Sequence, residues 1–206
     1  MTRLYAILAG TVVLGGLAGL YAYVQINRGD DPFAECRQGQ IAGGDIGGPF
    51  TLVNPAGETV TEAEVLQQPA LVYFGYTFCP DVCPFDMARN TEAVDILAAR
   101  NLTVTPVFIS IDPERDTPEA LGDYAANMHP NLIALTGTPD QVRAASLAYK
   151  TFYKRQESED EFYLVDHSTF TYLMLPGTGF VDFFRRDISS EQMADSVACY
   201  LQAAAP

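Results

Sequence analysis

The stretch that most constrains this chain is the apolar run Leu71-Val72-Tyr73-Phe74 followed at once by Gly75-Tyr76-Thr77-Phe78-Cys79-Pro80-Asp81-Val82-Cys83-Pro84. A short apolar run that feeds a Pro-rich turn reads as a buried strand delivering two thiols to a strand-to-helix junction. Pro84 has no N–H and is best accommodated at the first position of a helix. The expectation is therefore a helix from Pro84 to about Ala99, with Cys83 as N-cap and Asp86 near the positive end of its dipole. Cys79-Pro80-Asp81-Val82 then crosses the helix mouth, where aligned N–H groups favour the thiolate. Two such thiols can bind one soft metal ion or close a disulfide by exchange. The plainer alternative is a structural pair, buried or bonded.

The rest of the chain supplies a frame for that turn. Phe50-Thr51-Leu52-Val53 reads as a strand turned by Asn54-Pro55-Ala56-Gly57, Leu71 to Tyr76 as a core strand, and Val104 to Ile111 as another. Helices are expected over Pro118 to Met128 and, after Thr138 as cap, over Pro139 to Tyr149, with a short strand at Leu132 to Leu135 between them. Phe162 to Val165, Thr169 to Leu175 and Phe180 to Phe184 read as strands, and about 190–203 as a closing helix. Strands alternating with helices, then a hairpin and a last helix, describe an α/β fold with a central sheet flanked by helices. Two thiols after an early core strand make that order the thioredoxin pattern.

Length and charge bound the function. A chain of 206 residues suits one domain with an appendage. A net charge of −14 and a pI near 4.3 exclude a nucleic-acid partner, whose phosphates would be repelled. Glu157-Ser158-Glu159-Asp160-Glu161 reads as a solvated loop. Leu4 to Ile26 contains no charged residue and, at about 1.5 Å per residue, is long enough to cross a hydrocarbon core of roughly 30 Å. A cleaved signal peptide fits less well, because the apolar run is too long and no small-x-small site follows it. Tyr5, Tyr21 and Tyr23 lie where interfacial aromatics sit, and Arg3 favours the cytoplasmic side. The expected organisation is a membrane anchor over 1–27, a linker over 28–47 and a thioredoxin-like domain over 48–206 on the far side of the membrane.

Outside the cytoplasm the two remaining cysteines acquire a role. Cys36 lies in the polar linker Ala34-Glu35-Cys36-Arg37-Gln38-Gly39. Cys199 lies in the closing helix, which opens with the capping box Ser189-Ser190-Glu191-Gln192. Met193, Val197, Tyr200 and Leu201 form that helix's apolar stripe, with Cys199 on its flank. A disulfide between Cys36 and Cys199, stapling the linker onto the helix, is the expectation for an oxidising compartment.

Only two histidines are present, His129 and His167. His129, in Asn127-Met128-His129-Pro130, ends a helix and reads as a solvated loop residue. His167, in Leu164-Val165-Asp166-His167-Ser168-Thr169-Phe170, interrupts an apolar pair of strands and reads either as a buried core histidine or as a ligand. With Cys79 and Cys83 it would complete a set of three donors. Thiolates select Cu(I), zinc or iron–sulfur, and imidazole also accepts Cu(II). Three donors are too few for a closed structural zinc site and suit a metal that is handed on.

The runs Tyr73 to Pro84, Phe108-Ile109-Ser110-Ile111-Asp112-Pro113-Glu114-Arg115-Asp116-Thr117 and Val165-Asp166-His167-Ser168 resemble those of the Sco/SenC family, and the resemblance extends over about residues 48–203. It implies a membrane-anchored, thioredoxin-like copper protein that assists assembly of the dinuclear copper centre of cytochrome c oxidase. By the same resemblance Cys79, Cys83 and His167 are the copper ligands, and Asp112 stands near the metal without binding it. A strand-end Asp before Pro113 equally serves as a turn former. The implied partners are the copper-bearing subunit of cytochrome c oxidase and a copper-donor protein. The implied location is the cytoplasmic membrane, with a single pass and the domain on the periplasmic side. Cys36 and Cys199 fall outside the family's core pattern, so their pairing rests on this sequence alone. A competing reading is a thiol-disulfide oxidoreductase that reduces cysteines of a target protein. Against it stand three residues between the thiols where such enzymes have two, the absence of Trp before them, and a His167 with no task. A peroxidase of related fold has no separate support.

Overall fold

The computed structural model describes residues 14–23, 31–37, 45–158 and 162–205. The chain divides into a unit over 1–35 and a larger one over 36–206. In the first, residues 14–23 form helix α1, with exposed side chains. The remainder of the apolar stretch from Leu4 to Ile26 lies outside the described residues. Among the described residues no helix is long and apolar enough to cross a membrane.

The larger unit is built on β3 (Ala70–Gly75), whose six residues are all buried. Strands buried on both faces read as continuous apolar runs, and Leu71-Val72-Tyr73-Phe74 is one. On one side β3 pairs in parallel with β4 (Thr105–Ser110), in a register that sets Gly75 opposite Ser110. Beyond β4 lies β5 (Ile133–Leu135), also parallel. On the other side β3 pairs antiparallel with β8 (Thr171–Leu175), and β8 with β9 (Gly179–Phe184). The sheet order is thus β5-β4-β3-β8-β9. A hairpin of β1 (Thr51–Val53) and β2 (Thr59–Thr61), followed by the single turn α2 (Glu62–Val65), precedes it.

The longer helices are α3 (Val82–Ala99), α4 (Pro118–Met128), α5 (Pro139–Ala148) and α6 (Ser190–Ala203). Helices α4 and α5 each begin with Pro after a Thr whose hydroxyl accepts the N3 amide, Thr117 from Ala120 and Thr138 from Gln141. The cap orders the first turn while Pro occupies a position whose N–H would have no partner. Helix α6 opens with the Ser189–Gln192 capping box and packs on α3. It buries Met193, Ala194, Val197 and Tyr200. A disulfide joins Cys36 to Cys199, with Cα atoms 5.7 Å apart.

The clearest departure from the sequence reading concerns the segment between α5 and β8. A strand over Phe162 to Val165 was expected there. Instead, β7 covers Val165–His167 and pairs antiparallel with β6 (Tyr153–Arg155), an element the sequence reading lacks. The two form a ribbon separate from the central sheet. Tyr-Lys-Arg is short, polar and largely exposed, so no apolar alternation marks it. Of the acidic run, Glu157 and Ser158 are exposed, while 159–161 lie outside the described residues.

Candidate metal centre

The site forms where β3 ends and α3 begins, at the carboxyl ends of the parallel strands, the usual place for a ligand in an open α/β sheet. Helix α3 starts earlier than expected: Asp81 is its N-cap, without a side-chain cap bond, and Cys83 is its second residue. Pro84 therefore stands third, still within the first turn, where an N–H has no intrahelical partner and its absence costs nothing. Asp86 also departs from its expected role. It is buried, accepts the Tyr73 hydroxyl at 3.0 Å, and lies 3.7 Å from Arg89 and 3.9 Å from Arg186. Its partners are side chains, and the first turn of α3 contains no acidic residue.

Three donor atoms converge here. The Cys79 and Cys83 sulfurs and an imidazole nitrogen of His167 all lie within 4.8 Å of one another. Both cysteines are free and buried. His167 Nε2 lies 3.3 Å from Cys83 Sγ, and its Nδ1 lies 2.8 Å from the carbonyl oxygen of Ser168. A carbonyl can only accept, so Nδ1 carries the proton and Nε2 presents a lone pair to the sulfurs. The ring is held edge-on to Tyr73 (centroids 6.2 Å apart) and to Tyr76 (5.9 Å). Gly75 permits the close approach: a Cβ there would fall 3.0 Å from Cys83 Sγ and 2.8 Å from Tyr73 Cε1.

Electrostatics separate the two thiols. Burial pushes the Cys83 thiol well above its ordinary value, and the neighbouring Cys79 adds to the effect. Cys79 is also partly desolvated, which raises its pKa, but N–H groups of Cys83, Asp81 and Val82 together outweigh that and bring it below the ordinary thiol value. The Cys83 N–H lies 3.4 Å from Cys79 Sγ. Cys83 keeps its proton more firmly, beside His167 Nε2, while Cys79 carries the readier thiolate. Burial holds the His167 imidazole below the usual histidine range, so it is neutral at pH 7. Both conditions suit metal binding, which needs thiolate and neutral imidazole.

The loop under the thiols is pinned by a residue that sequence reasoning missed. Asp116 is fully buried and accepts from the Thr77 N–H (3.1 Å), the Thr77 hydroxyl (2.5 Å) and the Ser110 hydroxyl (2.6 Å). Burial still wins over these bonds, and its pKa is raised. Asp112, expected beside the metal, is outside the three-donor group. Its carboxylate is taken by Arg115 Nε at 2.5 Å and the Tyr163 hydroxyl at 2.6 Å. The run Asp112-Pro113-Glu114-Arg115-Asp116 contains four charged side chains at a strand end, but nothing in it says which two carboxylates are buried. His129, expected in solvent, is buried as the C-cap of α4. Its Nδ1 accepts the Asn131 N–H at 3.1 Å, and Nε2 lies 3.2 Å from Asp95 Oδ1.

A thioredoxin-like α/β domain with two free thiols and an imidazole at the mouth of its first long helix defines the class. The particular family follows from comparison: the chain matches SCO1/SenC over residues 38–202 and belongs to that family. Protein SenC of Rhodobacter capsulatus is 50% identical over 200 residues, which cover 96% of this chain and 90% of that protein. The crystal structure of Arabidopsis thaliana ScoI with copper bound is 40% identical, with a TM-score of 0.73, over 76% of this chain and 98% of that one. Yeast Sco1 with copper bound is 34% identical, also at a TM-score of 0.73, over 79% of this chain and 92% of that one.

Proposed function

We propose that this chain is a copper chaperone: it holds one copper ion through Cys79, Cys83 and His167 and delivers it in the assembly of the dinuclear copper centre of cytochrome c oxidase. The observation that carries this reading is the meeting of two sulfurs and one imidazole nitrogen within 4.8 Å. Two similar proteins have copper bound, and a more distant neighbour is described as a member of the Sco family of cytochrome c oxidase assembly proteins. Thiolate and imidazole donors fit Cu(I) and Cu(II). Asp112 stays outside the ligand set and acts through its neighbours. A partner that offers its own sulfur or imidazole displaces these donors one at a time, so that no free ion is released. The apolar stretch from Leu4 to Ile26 anchors the chain in the cytoplasmic membrane with the domain on the periplasmic side, within reach of a membrane-bound oxidase and of a copper donor.

The test is copper titration of the metal-free full chain, beside single Ala replacements of Cys79, Cys83 and His167. Each replacement is expected to abolish tight Cu(II) binding and the sulfur-to-copper absorption. His167→Ala with unchanged affinity and spectrum would refute the ligand set.

A second reading, thiol-disulfide exchange on target-protein cysteines, is favoured by the different settings of the two thiols: Cys79 Sγ faces the Cys83 N–H at 3.4 Å, while Cys83 Sγ lies deeper, 3.3 Å from His167 Nε2. That asymmetry suits an attacking thiol and a resolving one. A reductase keeps its activity when His167 is replaced; a copper chaperone does not.

A further inference from the structure

We infer that Arg115, which is no part of the ligand set, is a positioning residue that latches the His167 ribbon onto the thiol loop. The inference rests on the copper reading above and deepens it, by naming what decides whether the third ligand is in place.

The β6–β7 ribbon shares no ladder with the central sheet; beyond the edge contact of the His167 ring with Tyr73, the place of His167 near Cys83 depends on what fastens the ribbon to the thiol loop. Arg115 sits between the two partners. On the side of the thiol loop its guanidinium carbon lies 4.9 Å from the Phe78 ring centroid and 5.7 Å from that of Tyr76. On the side of the ribbon it stacks 3.6 Å over the Tyr163 ring, and Nη1 donates to the Tyr163 carbonyl at 3.0 Å. Nε bonds Asp112, whose other carboxylate oxygen accepts the Tyr163 hydroxyl at 2.6 Å. Arg115 and Tyr163 thus share one buried carboxylate, and a planar fork can meet a ring face and a carboxylate at once where an ammonium cannot.

The opposite face of Tyr163 is also taken. The Arg155 guanidinium lies 3.7 Å from the ring centroid, and two cations that close to one centroid must stand on opposite faces. Arg155 belongs to β6 and pairs with Glu114 at 2.8 Å, so the sandwich ties the ribbon to the strand-end loop that bears Arg115. A last link is made by Tyr76, whose hydroxyl accepts the Val165 N–H at 3.3 Å two residues before His167. Every attachment named here lies between the ribbon on one hand and either the thiol loop or the Asp112–Arg115 turn on the other.

The consequence is a graded site. With the latch shut, two sulfurs and one imidazole meet, a set that accepts Cu(II). With it open, two sulfurs remain, sufficient for Cu(I). Arg115 therefore biases which oxidation state the site holds while standing outside the three-donor group.

The test uses the full chain with Arg115→Ala, Arg115→Lys, Tyr163→Phe and His167→Ala, titrated with Cu(II) and, anaerobically, with Cu(I). Residues that orient ligands from behind typically alter affinity about 10–100-fold. Arg115→Ala is expected to weaken Cu(II) by about tenfold or more and to diminish the sulfur-to-copper absorption that His167→Ala loses, while Cu(I) affinity stays within roughly threefold. Arg115→Lys, which keeps the charge without the fork, is expected to fall between. In the His167→Ala background Arg115→Ala should cost nothing further, because the two losses are one. In the metal-free protein the His167 ¹⁵N shift should move towards that of a solvent-exposed imidazole. An unchanged Cu(II) spectrum and unchanged His167 shift in folded Arg115→Ala overturn the inference, as do additive losses with His167→Ala. If Arg115→Ala does not fold, Tyr163→Phe decides, with a smaller shift in the same direction supporting the latch and none overturning it. A His167→Ala protein that binds copper normally overturns the ligand set itself, whatever Arg115 does.

Discussion

Cys79 and Cys83 show how a small change of depth at a helix mouth divides two identical groups. Both are buried, but Cys79 faces the first N–H groups of α3 while Cys83 lies inside the first turn against Tyr73 and His167. Cys79 is therefore the readier thiolate. In the reduced, metal-free chain it should react with iodoacetamide at least about tenfold faster than Cys83 at pH 7, since alkylation follows the thiolate fraction and access. Its rate should level off below the ordinary thiol value of about 8.5. Peptide mapping of partially alkylated protein measures this, and modification of Cys83 first would contradict the assignment. The three converging donors could be singled out in the sequence because chemistry-bearing types are scarce here, with four Cys and two His, but His167 itself read equally as a core residue until the resemblance of its segment to a known family was added. Asp116 was not legible, since a carboxylate in a polar run gives no sign of being fully buried under three donors. His129 misled for the opposite reason: a histidine before proline looks like a loop residue, and only the fold reveals the Asp95 and Asn131 groups around it.

At the scale of elements, what could be read depended on whether the element announces itself locally. Helices α4, α5 and α6 carry their caps, and the core strands β3 and β4 carry their apolar runs, so each was recoverable from a short window. The β6–β7 ribbon exists only because two short segments find each other across a loop, which no window displays. The Cys36–Cys199 bond spans a sequence separation of 163. Closing so large a loop removes much of the unfolded chain's freedom, about 5 kcal/mol in the chain-entropy treatment, against about 2–5 kcal/mol seen when native disulfides are removed. Cys36→Ser should lower the urea midpoint of the full chain accordingly. It should also raise the denaturant slope, because the unfolded state becomes more expanded. Copper binding should be unaffected, since neither cysteine lies in the three-donor group. A change below about 0.5 kcal/mol, within the range of ordinary surface substitutions, would mean that the bond does not constrain the unfolded chain.

For the whole molecule, acidification sets two effects against each other. With 26 acidic and 12 basic residues, protonating carboxylates relieves self-repulsion and favours the folded state as pH falls. Asp116, whose pKa is raised by burial, has the same sign: its contribution is full below the unfolded value of about 3.9 and is lost as pH rises through the raised one. His167 opposes them. Its folded pKa is depressed by burial, so its contribution is present above the unfolded value of about 6.5 and is lost as pH falls through the folded one. Raw stability against pH mixes all three, but the difference between the metal-free wild type and His167→Gln isolates one. Gln is polar and cannot titrate. Below about pH 6.5 the wild-type Tm should decline relative to that of the variant, with the gap levelling once the imidazole is charged in both states. Above pH 7 the two curves should run parallel. A gap that stays constant between pH 7 and pH 4 would show that the ring is as solvated in the folded chain as in the unfolded one, and would remove the buried, neutral imidazole from the site.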